Sequence, residues 1–489
     1  MDICDARCAL WRALAGMVLL AGCSMGRAAE GPHARRPPAG SPPVASPDFD
    51  ASAMRVRTLL EQLVAADTEN PPGNEARAAA LGAARLQAAG ISYQLFEFAP
   101  GRQNLIARIK GNGSAKPLLL LAHIDVVPTA GQSWTSPPHR LTEKDGYLVG
   151  RGTTDDLSDA ALDLEVLVLL SELKVPLRRD VILAWTGDEE RGGEGLRWQL
   201  QQSPEVLKDA AFALNEGGGV EIDAAGKGKS AALHVAEKIY QDFTIRTRGR
   251  SGHSSRPVPD NAIYKLAAAL RRLGEHRFPP RFLPVTRAFF LATADSEKPP
   301  VGAAMRALAT ARGELPGDAL NALDENPGIA SLLRTTCVAT QLAGGTGPNV
   351  LPAEAKANVN CRILPDETVE GTRRRLQEVV GDSAVEVVAE ASFGGSPPIP
   401  SEGEAPAALE VVTHRFFPGI PVVPYMSNYV TDSRQLRAAG ILAYGFTGLA
   451  LTDEDSSRAH GADERIPAGS LRRAMEMTWA LVVELAGAH

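Results

Sequence analysis

Three consecutive acids stand in the middle of the sequence, in the stretch VILAWTGDEERGGEG at residues 181–195. Residues 181–185 are continuously apolar and precede Thr186-Gly187, which predicts a buried strand that ends in a turn. Glu189 and Glu190 follow this turn, and adjacent side chains of an extended segment point to opposite sides. One of them could therefore bind a metal ion while the other exchanges a proton with water. A solvated acidic turn is the commoner meaning of such a triplet, so its interpretation depends on other residues.

Four other places in the sequence carry side chains that commonly bind metal ions. They are His123 with Asp125, Asp155 with Asp156, Glu216, and His460. Two imidazoles and several carboxylates suit zinc, and other divalent first-row metals could replace it. One carboxylate shared by two ions about 3.5–4 Å apart would help to make a bound water acidic near neutral pH. Each residue alone is a weak indication, whereas the set predicts a metal site.

The predicted strands explain how these residues could meet. Residues 117–122 (PLLLLA) are fully apolar and precede His123, and a helix at 158–173 leads to the strand at 181–185. Amphipathic helices are expected at 53–66 and 75–88, and further strands at 93–98 and 104–110. Buried strands that alternate with helices indicate an α/β fold, a mostly parallel sheet with helices on both faces. Open sheets of this kind bind ligands beyond the carboxyl ends of their strands.

The pattern changes after Glu216. Residues 238–248 alternate like an antiparallel strand, Asp260 is expected to cap a helix over 260–273, and strands are expected near 335–342 and 353–364. Residues 278–333 are expected to form loops and short helices. We predict a smaller α+β lid or dimerisation domain at 237–366, inserted into a catalytic domain made of 53–236 and 367–489, which closes with a helix at 468–485.

The first residues predict an exported lipoprotein. Residues 10–22 contain an apolar core (ALAGMVLLAG) behind Arg7 and Arg12, which is the layout of a signal peptide over residues 1–22. Leu20-Ala21-Gly22-Cys23 resembles the bacterial lipobox, in which Cys23 would carry the lipid. Residues 23–52 are rich in Pro and Ala and are predicted to be a tether. We expect a lipid anchor on the periplasmic face of the cell envelope, with the outer membrane favoured by the residue after Cys23.

Composition narrows the possible partners. The chain has 489 residues and a net charge of -7, and a phosphate-binding surface would normally leave a basic excess, so nucleic acid is not an expected partner. After the leader, no stretch approaches the about 20 apolar residues of a spanning helix, so the lipid is the only membrane contact expected. Cys337 and Cys361 could pair in an oxidising compartment, but two buried thiols are an equal alternative.

The ordered motifs resemble those of the M20 family of co-catalytic zinc peptidases and amidohydrolases. The resemblance runs from about Ala53 to the carboxyl terminus and rests on HIDVVP (123–128), GRGTTDD (150–156), DEE (188–190), NEG (215–217) and AHG (459–461). It implies two zinc ions per subunit, with Co²⁺ or Mn²⁺ as possible substitutes. One ion would be bound by His123 and Glu216. The other would be bound by Glu190 and His460, and Asp155 would bridge the two.

The resemblance also implies roles for residues beside the ions. Glu189 would be the general base, and Asp125 would orient the ring of His123, because a ligating imidazole needs its other nitrogen held. A cis peptide is implied between Asp155 and Asp156. Leu157 departs from the family pattern, since many members carry lysine there, and this departure leaves the ligands intact but the substrate preference open.

The inserted segment supplies three further candidates. Residues 252–257 (GHSSRP) resemble the family's lid histidine motif, so His253 would polarise the scissile carbonyl. Asn349 would assist, and Arg362 is a candidate partner for a substrate carboxylate, which a guanidinium binds through paired hydrogen bonds. In members with such a lid the histidine often comes from the partner subunit, which implies a homodimer.

These inferences predict a dinuclear zinc hydrolase that cleaves the amide bond of small peptides in the manner of an exopeptidase or carboxypeptidase. N-acyl or N-carbamoyl amino acids are the alternative substrates, because selectivity depends on the shape of the pocket and not on the ligands. The alternative from another class is a lipid-anchored peptide-binding protein without activity. The presence of every ligand and of the base argues against it.

Overall fold

The computed structural model describes residues 46–391 and 394–488, and all structural statements refer to them. The predicted signal peptide, Cys23 and most of the predicted tether lie outside these residues. Among the described helices, none combines the length and the apolar character that a membrane span requires.

The elements up to residue 237 alternate between helices and strands. In chain order they are α1 (Phe49–Ala65), α2 (Glu75–Ala88), β1 (Tyr93–Ala99), β2 (Arg102–Ile109), β3 (Leu118–His123), β4 (Thr142–Lys144), β5 (Tyr147–Val149), α3 (Leu157–Glu172), β6 (Val181–Thr186), α4 (Glu194–Gln202), a 3₁₀ turn (Pro204–Val206), β7 (Phe212–Asn215), β8 (Gly219–Ile222) and β9 (Gly228–Glu237). The predicted strands before His123 and before the acid triplet are therefore present. The first helix begins at Phe49, inside the segment predicted as tether, because Asp48 caps it by accepting a hydrogen bond from the Ala51 amide.

The remaining elements build a second sheet and then return to the first. They are β10 (Ile239–Arg248), β11 (Gly252–His253), α5 (Ala262–Glu275), α6 (Pro284–Thr293), α7 (Val301–Thr310), α8 (Gly317–Asp324), α9 (Pro327–Ser331), β12 (Thr336–Gly344), β13 (Val350–Leu351), β14 (Glu354–Ile363), α10 (Val369–Val380), β15 (Val385–Ala389), α11 (Glu404–Phe416), β16 (Val422–Ser427), α12 (Ser433–Ala438), β17 (Leu442–Gly445), β18 (Ala450–Leu451), α13 (Asp453–Ser456), β19 (Arg465–Pro467) and α14 (Ser470–Ala486).

The larger sheet has ten strands, in the order β1-β2-β6-β3-β7-β17-β9-β8-β18 with β16 beside β9. Its central strands β6, β3, β7 and β17 run parallel, while β1 and β2 are antiparallel to their neighbours. Alternate residues of β3 face different cores. Leu118 and Leu120 lie in the larger core with residues of α1, α3 and α14, whereas Leu119 and Leu121 pack with residues of α4 and α12. Helices on both faces of a mostly parallel sheet confirm the predicted fold class.

The smaller sheet is antiparallel, in the order β12-β14-β10-β15, and its core includes residues of α5 and α10. It contains β15, which lies beyond residue 366, where the sequence analysis placed the return to the catalytic domain. The alternating pattern of a strand does not say which sheet it joins, so this pairing could not be read locally. Cys337 and Cys361 are opposite each other on β12 and β14 and form a disulfide.

Two local predictions within residues 237–366 had different outcomes. The expected short helices are present as α6 to α9, and they form a separate core that also includes Met426 of β16. The expected helix cap at Asp260 is wrong by one residue. Asn261 caps α5 by accepting a hydrogen bond from the Ile263 amide at 2.9 Å, whereas Asp260 pairs with Lys265.

Candidate metal centre

The parallel strands bring the predicted ligands to one edge of the large sheet. His123 is the last residue of β3 and lies opposite Thr186, the last residue of β6, so the acid triplet follows directly beside it. β7 pairs with the other side of β3 and ends at Asn215, immediately before Glu216. Neighbouring parallel strands that end together therefore place three of the motifs next to each other. This placement is the one expected for sites in open α/β sheets.

Two groups of possible ligands form at this edge, and they share Asp155. In the first group, Nε2 of His123 lies 2.9 Å from Oδ1 of Asp155 and 3.9 Å from Oε2 of Glu216. In the second, Nε2 of His460 lies 3.1 Å from Oδ2 of Asp155 and 3.0 Å from Oε2 of Glu190. Asp155 thus presents one oxygen to each imidazole. The groups have the membership that the family resemblance implies, with the shared residue in the bridging position.

The spacing of these atoms fits two metal ions. Ligands that surround zinc tetrahedrally at about 2.0–2.1 Å are separated from one another by about 3.3 Å. The four measured separations, from 2.9 to 3.9 Å, bracket this value. Oε1 of Glu190 is buried and has no hydrogen-bond partner among the described residues. A buried carboxylate oxygen without a donor is suited to a cation, so the residues present fit a dinuclear centre.

The charges of the cluster point the same way. Contact with Asp155 and Glu190 raises the pKa of His460 to about 10. Burial raises the pKa of Glu216 well above its ordinary value, and Glu189 and Asp155 raise it further. The imidazoles are thus held by surrounding negative charge, and the carboxylates repel one another. Such a cluster attracts cations.

Asp125 holds the ring of His123 through its backbone carbonyl and not through its carboxylate. Nδ1 of His123 donates to the backbone carbonyl of Asp125 at 2.9 Å, whereas the carboxylate oxygen Oδ1 is 3.7 Å away. The carbonyl fixes the ring and leaves Nε2 free to face the other ligands. The carboxylate instead accepts hydrogen bonds from the backbone amides of Glu189 and Glu190, at 3.1 and 3.2 Å. Asp125 therefore holds the turn that carries the predicted base.

Glu189 lies beside the ligand groups without belonging to either of them. Its Oε1 is buried and has no hydrogen-bond partner among the described residues. Burial raises the pKa of Glu189 well above its ordinary value; His123 lowers it, and the carboxylates of Asp432 and Glu190 raise it. The carboxylate of Glu189 is thus free to accept a proton from a water molecule in the site.

The three lid candidates do not join this cluster within the described part of one chain. His253 is exposed, and its Nδ1 accepts hydrogen bonds from the backbone amide and the hydroxyl of Ser255, at 3.1 and 2.8 Å. Asn349 is also exposed, and its backbone carbonyl accepts a hydrogen bond from the Ser254 amide at 2.9 Å. Arg362 donates to the carbonyl of Asn428 at 3.3 Å and lies over the ring of Tyr240. Their roles stay predictions.

The peptide bond between Asp155 and Asp156 is cis, as the resemblance implies. Leu157, which stands where many family members carry lysine, is buried in the larger core and is 1% exposed. Its side chain packs toward Gly152, where an added Cβ would approach within 2.5 Å of Leu157 Cδ1. The departure from the family pattern therefore places an apolar side chain where a charged one is common.

Sequence reasoning missed Asn70, a buried residue beside the centre. Its side-chain amide donates to Asp125 at 2.8 Å and to Asp188 at 3.0 Å. Asp188 is also paired with Arg102, whose guanidinium binds Glu75 as well. The only local signal at Asn70 is the Pro71-Pro72-Gly73 sequence that follows it, which predicts a turn after a helix. No local pattern could identify its partners, because they are 55 and 118 residues away in the chain.

Known proteins resemble this chain in sequence and in fold. The sequence model of Peptidase family M20/M25/M40 matches residues 119–484. Human N-fatty-acyl-amino acid synthase/hydrolase PM20D1 is 31% identical over 76% of this chain and 74% of its own length. The probable carboxypeptidase S-like 2 of Dictyostelium discoideum is 29% identical over 78% of this chain and 74% of its own. The M20 family metallo-carboxypeptidase Sso-CP2 of Sulfolobus solfataricus has a similar structure, with a TM-score of 0.68, 19% identity and coverage of 88% and 98%.

Proposed function

The chain belongs to peptidase family M20/M25/M40, and from this premise we propose that it hydrolyses amide bonds with two zinc ions held at the shared-aspartate centre. The observation that carries the proposal is the pair of ligand groups that overlap at Asp155, beside the carboxylate of Glu189, whose buried Oε1 has no hydrogen-bond partner among the described residues. When bound, the two ions would lower the pKa of a water molecule and polarise the scissile carbonyl. Co²⁺ and Mn²⁺ are possible substitutes, because the same ligands accept them.

Glu189 would accept the proton of the attacking water and pass it to the leaving amine. Its position is suited to this role, because Asp125 accepts a hydrogen bond from its backbone amide at 3.1 Å, while its buried Oε1 has no hydrogen-bond partner in the described part of the chain. His253 would donate a hydrogen bond to the carbonyl oxygen as negative charge develops there. Since Nδ1 of His253 accepts a hydrogen bond from the Ser255 amide, the ring proton of the neutral imidazole would be on Nε2, where it could be donated to the substrate carbonyl.

The substrate we propose is an N-acyl amino acid. This choice rests on the human relative, which is a synthase/hydrolase of N-fatty-acyl-amino acids. Small peptides, which the sequence analysis preferred, are the second candidate, and they are favoured by the carboxypeptidase S-like relative. Both classes end in a carboxylate, for which Arg362 is the proposed partner and Asn349 a proposed neighbour.

The test compares wild type with Glu189→Gln on N-acyl amino acids of increasing chain length and on dipeptides, with zinc present. We expect Glu189→Gln to lower kcat by about 10²–10⁴-fold while both zinc ions stay bound. Glu165→Gln is the matched control, since Glu165 is also a buried carboxylate but pairs with Arg55 and Arg85 away from the centre. Glu190→Ala and His460→Ala should instead lose zinc. Near wild-type turnover in Glu189→Gln would refute the mechanism.

The alternative of a binding protein without activity makes a different prediction. A zinc-loaded wild-type protein that bound the tested amides but released them intact would favour that alternative. The preferred substrate among those cleaved would decide between N-acyl amino acids and peptides.

We further propose that the protein acts as a homodimer whose small sheets meet along their edge strands β12. The edge strand β12 exposes Val338 and Leu342, which are 62% and 70% exposed, and Tyr264 of the neighbouring helix α5 is 70% exposed. An unpaired edge strand with apolar side chains is suited to pairing with another chain. The dimer would also explain why, among the described residues, the ring of His253 hydrogen-bonds to Ser255 of its own loop and not to the metal centre of its own chain, since it would act at the partner's centre.

The lipid anchor and the periplasmic location are proposals that rest on the sequence around Cys23. Cys23→Ala should remove the anchor and leave the hydrolase free of the membrane. Fractionation of cells and labelling with a radioactive fatty acid would measure this change. Equal labelling of Cys23→Ala and wild type would contradict the proposed site.

A further inference from the structure

We propose that the buried ion pair between Arg151 and Glu464 is a positioning device for Asp155 and His460, the two residues that meet at the second metal ion. The inference rests on the proposed dinuclear centre and does not depend on the substrate. Neither Arg151 nor Glu464 belongs to the ligand groups described above. Both are deeply buried, with 1% and 0% of their surface exposed.

Glu464 holds the backbone of the bridging aspartate. Its Oε1 accepts hydrogen bonds from the backbone amides of Thr154 at 2.7 Å and Asp155 at 3.1 Å. Its Oε2 accepts from Nη1 of Arg151 at 2.5 Å. The carboxylate of Glu464 therefore fixes the backbone from which the Asp155 side chain extends, and its negative charge is balanced by Arg151. A charge-assisted bond to a backbone amide is stronger than a neutral one, which suits a residue that must not move.

Arg151 holds the loop of His460 from the same ion pair. Its Nη2 donates to the carbonyl of His460 at 3.3 Å and to Oε1 of Gln132 at 2.8 Å. Nε2 of Gln132 donates to that same His460 carbonyl at 2.8 Å. His460 has a φ of 64°, a left-handed conformation that is uncommon for a residue other than glycine. Two donors on its carbonyl stabilise this conformation and hence the direction of the imidazole.

The pair supports one side of the centre more than the other, because it reaches His460 and the shared Asp155 but no other ligand in the described part of the chain. Within residues 46–391 and 394–488, neither Arg151 nor Glu464 forms a hydrogen bond or ion pair with His123 or Glu216. His123 is oriented by the Asp125 carbonyl and by its place at the end of β3. Removing the charge of Glu464 should therefore weaken the site of Glu190 and His460 more than the site of His123 and Glu216.

The experiment measures zinc binding and not turnover. Metal-free wild type, Glu464→Gln, Gln132→Ala and His460→Ala are dialysed against zinc buffered by a chelator at graded free concentrations, and bound zinc per chain is measured by elemental analysis. Wild type should show two ions, and His460→Ala identifies the step that belongs to the second ion. We expect Glu464→Gln to shift that step by about 10–100-fold, the usual effect of removing a residue that supports a ligand, and to shift the step of the first ion by less, because Asp155 is shared while His123 and Glu216 are not supported by the pair.

Gln132→Ala keeps the ion pair but removes one hydrogen bond to the His460 carbonyl and the acceptor that helps to hold Nη2 of Arg151 near that carbonyl. It should shift the same step by about fivefold, the value of one neutral hydrogen bond. If Glu464→Gln does not fold, this variant decides the question, and an unchanged second step in Gln132→Ala would overturn the proposal.

Glu165→Gln again serves as the matched control, because it removes a buried carboxylate from two arginines without touching a ligand. If Glu464 has a merely structural role, Glu464→Gln and Glu165→Gln should both lower the melting temperature of the metal-free protein and leave both zinc-binding steps unchanged. That result would overturn the proposal, as would an equal shift of both steps in Glu464→Gln. If wild type binds fewer than two zinc ions, the proposed centre is wrong and this inference falls with it. If wild type binds two zinc ions but Glu464→Gln and Gln132→Ala bind them with unchanged affinity, this inference alone is wrong.

Discussion

Asn70 offers a strict test of how the base is held. Its buried side-chain amide connects two carboxylates, Asp125 at 2.8 Å and Asp188 at 3.0 Å. Asp125 in turn binds the backbone amides of Glu189 and Glu190. We predict that Asn70→Ala both destabilises the fold and slows hydrolysis, because the loss of one amide loosens the turn that carries the base.

The magnitude follows from the two bonds that are lost. A hydrogen bond to a charged group contributes about 1.5–3 kcal/mol, so the two together are worth about 3–6 kcal/mol of the free energy of unfolding. Asp188 keeps its contact with Arg102 at 2.7 Å, which places the expected loss in the lower half of this range. A displacement of about 1 Å can cost about 100-fold in rate. We therefore expect kcat to fall by about 10–100-fold with little change in KM.

Urea unfolding and steady-state kinetics on one protein preparation would measure both effects. Gln241→Ala is the matched control, since Gln241 is also a buried amide and donates to two backbone carbonyls, at 2.7 and 2.9 Å, in the smaller sheet. It should lose about 1–3 kcal/mol for two neutral bonds and keep the wild-type kcat. Wild-type kcat in Asn70→Ala, or an equal fall in kcat in the control, would refute the reasoning.

Three further predictions concern pH, metal and assembly. Burial lowers the pKa of Lys238 from 10.5 to about 7, so between these pH values the unfolded chain binds more protons than the folded one. The free energy of unfolding should therefore rise with pH in this range, by up to about 5 kcal/mol. Lys238→Met should remove this rise in urea titrations at several pH values, and an unchanged rise would contradict the prediction. A zinc ion present at about 1,000 times its Kd adds about 4 kcal/mol to folding, so a chelator should lower the thermal midpoint, and an unmoved midpoint would argue against bound metal. If the proposed dimer forms through β12, Leu342→Arg should be monomeric in light scattering, while Leu95→Arg, at an exposed leucine on the edge strand β1, should keep the oligomeric state of wild type. A dimeric Leu342→Arg would exclude β12 as the interface.

The central strands and their polar ends could be predicted from the sequence for a physical reason. β3 and β6 are buried on both faces, so their residues are apolar without interruption, and turns follow directly. Because β3 and β6 are parallel neighbours, it could also be predicted that His123 and Glu190, which follow or end these strands, lie at the same edge of the sheet. The division of the ligands into two groups came from the resemblance of five motifs, since local patterns do not say which acid faces which imidazole.

The residues that support the ligands could not be predicted in this way. Arg151 and Glu464 are 313 residues apart, and Asn70 is 118 residues from Asp188. Such contacts depend on how loops from distant segments pack beyond the strand ends, and this packing leaves no periodic pattern. The same limit explains β15, whose alternation fits either sheet until its partner is known.

The buried carboxylates at and around the centre differ in their partners. Three of those around the centre are paired with arginines: Asp188 with Arg102, Glu464 with Arg151, and Glu237 with Arg437. Those inside it are Asp155, Glu189, Glu190 and Glu216, and among the described residues none of these forms a hydrogen bond or ion pair with arginine or lysine. Buried charge must be compensated, and two divalent ions would balance these four carboxylates. An arginine placed there would fill the space that the substrate carbonyl needs, whereas a catalytic metal ion keeps one coordination position open.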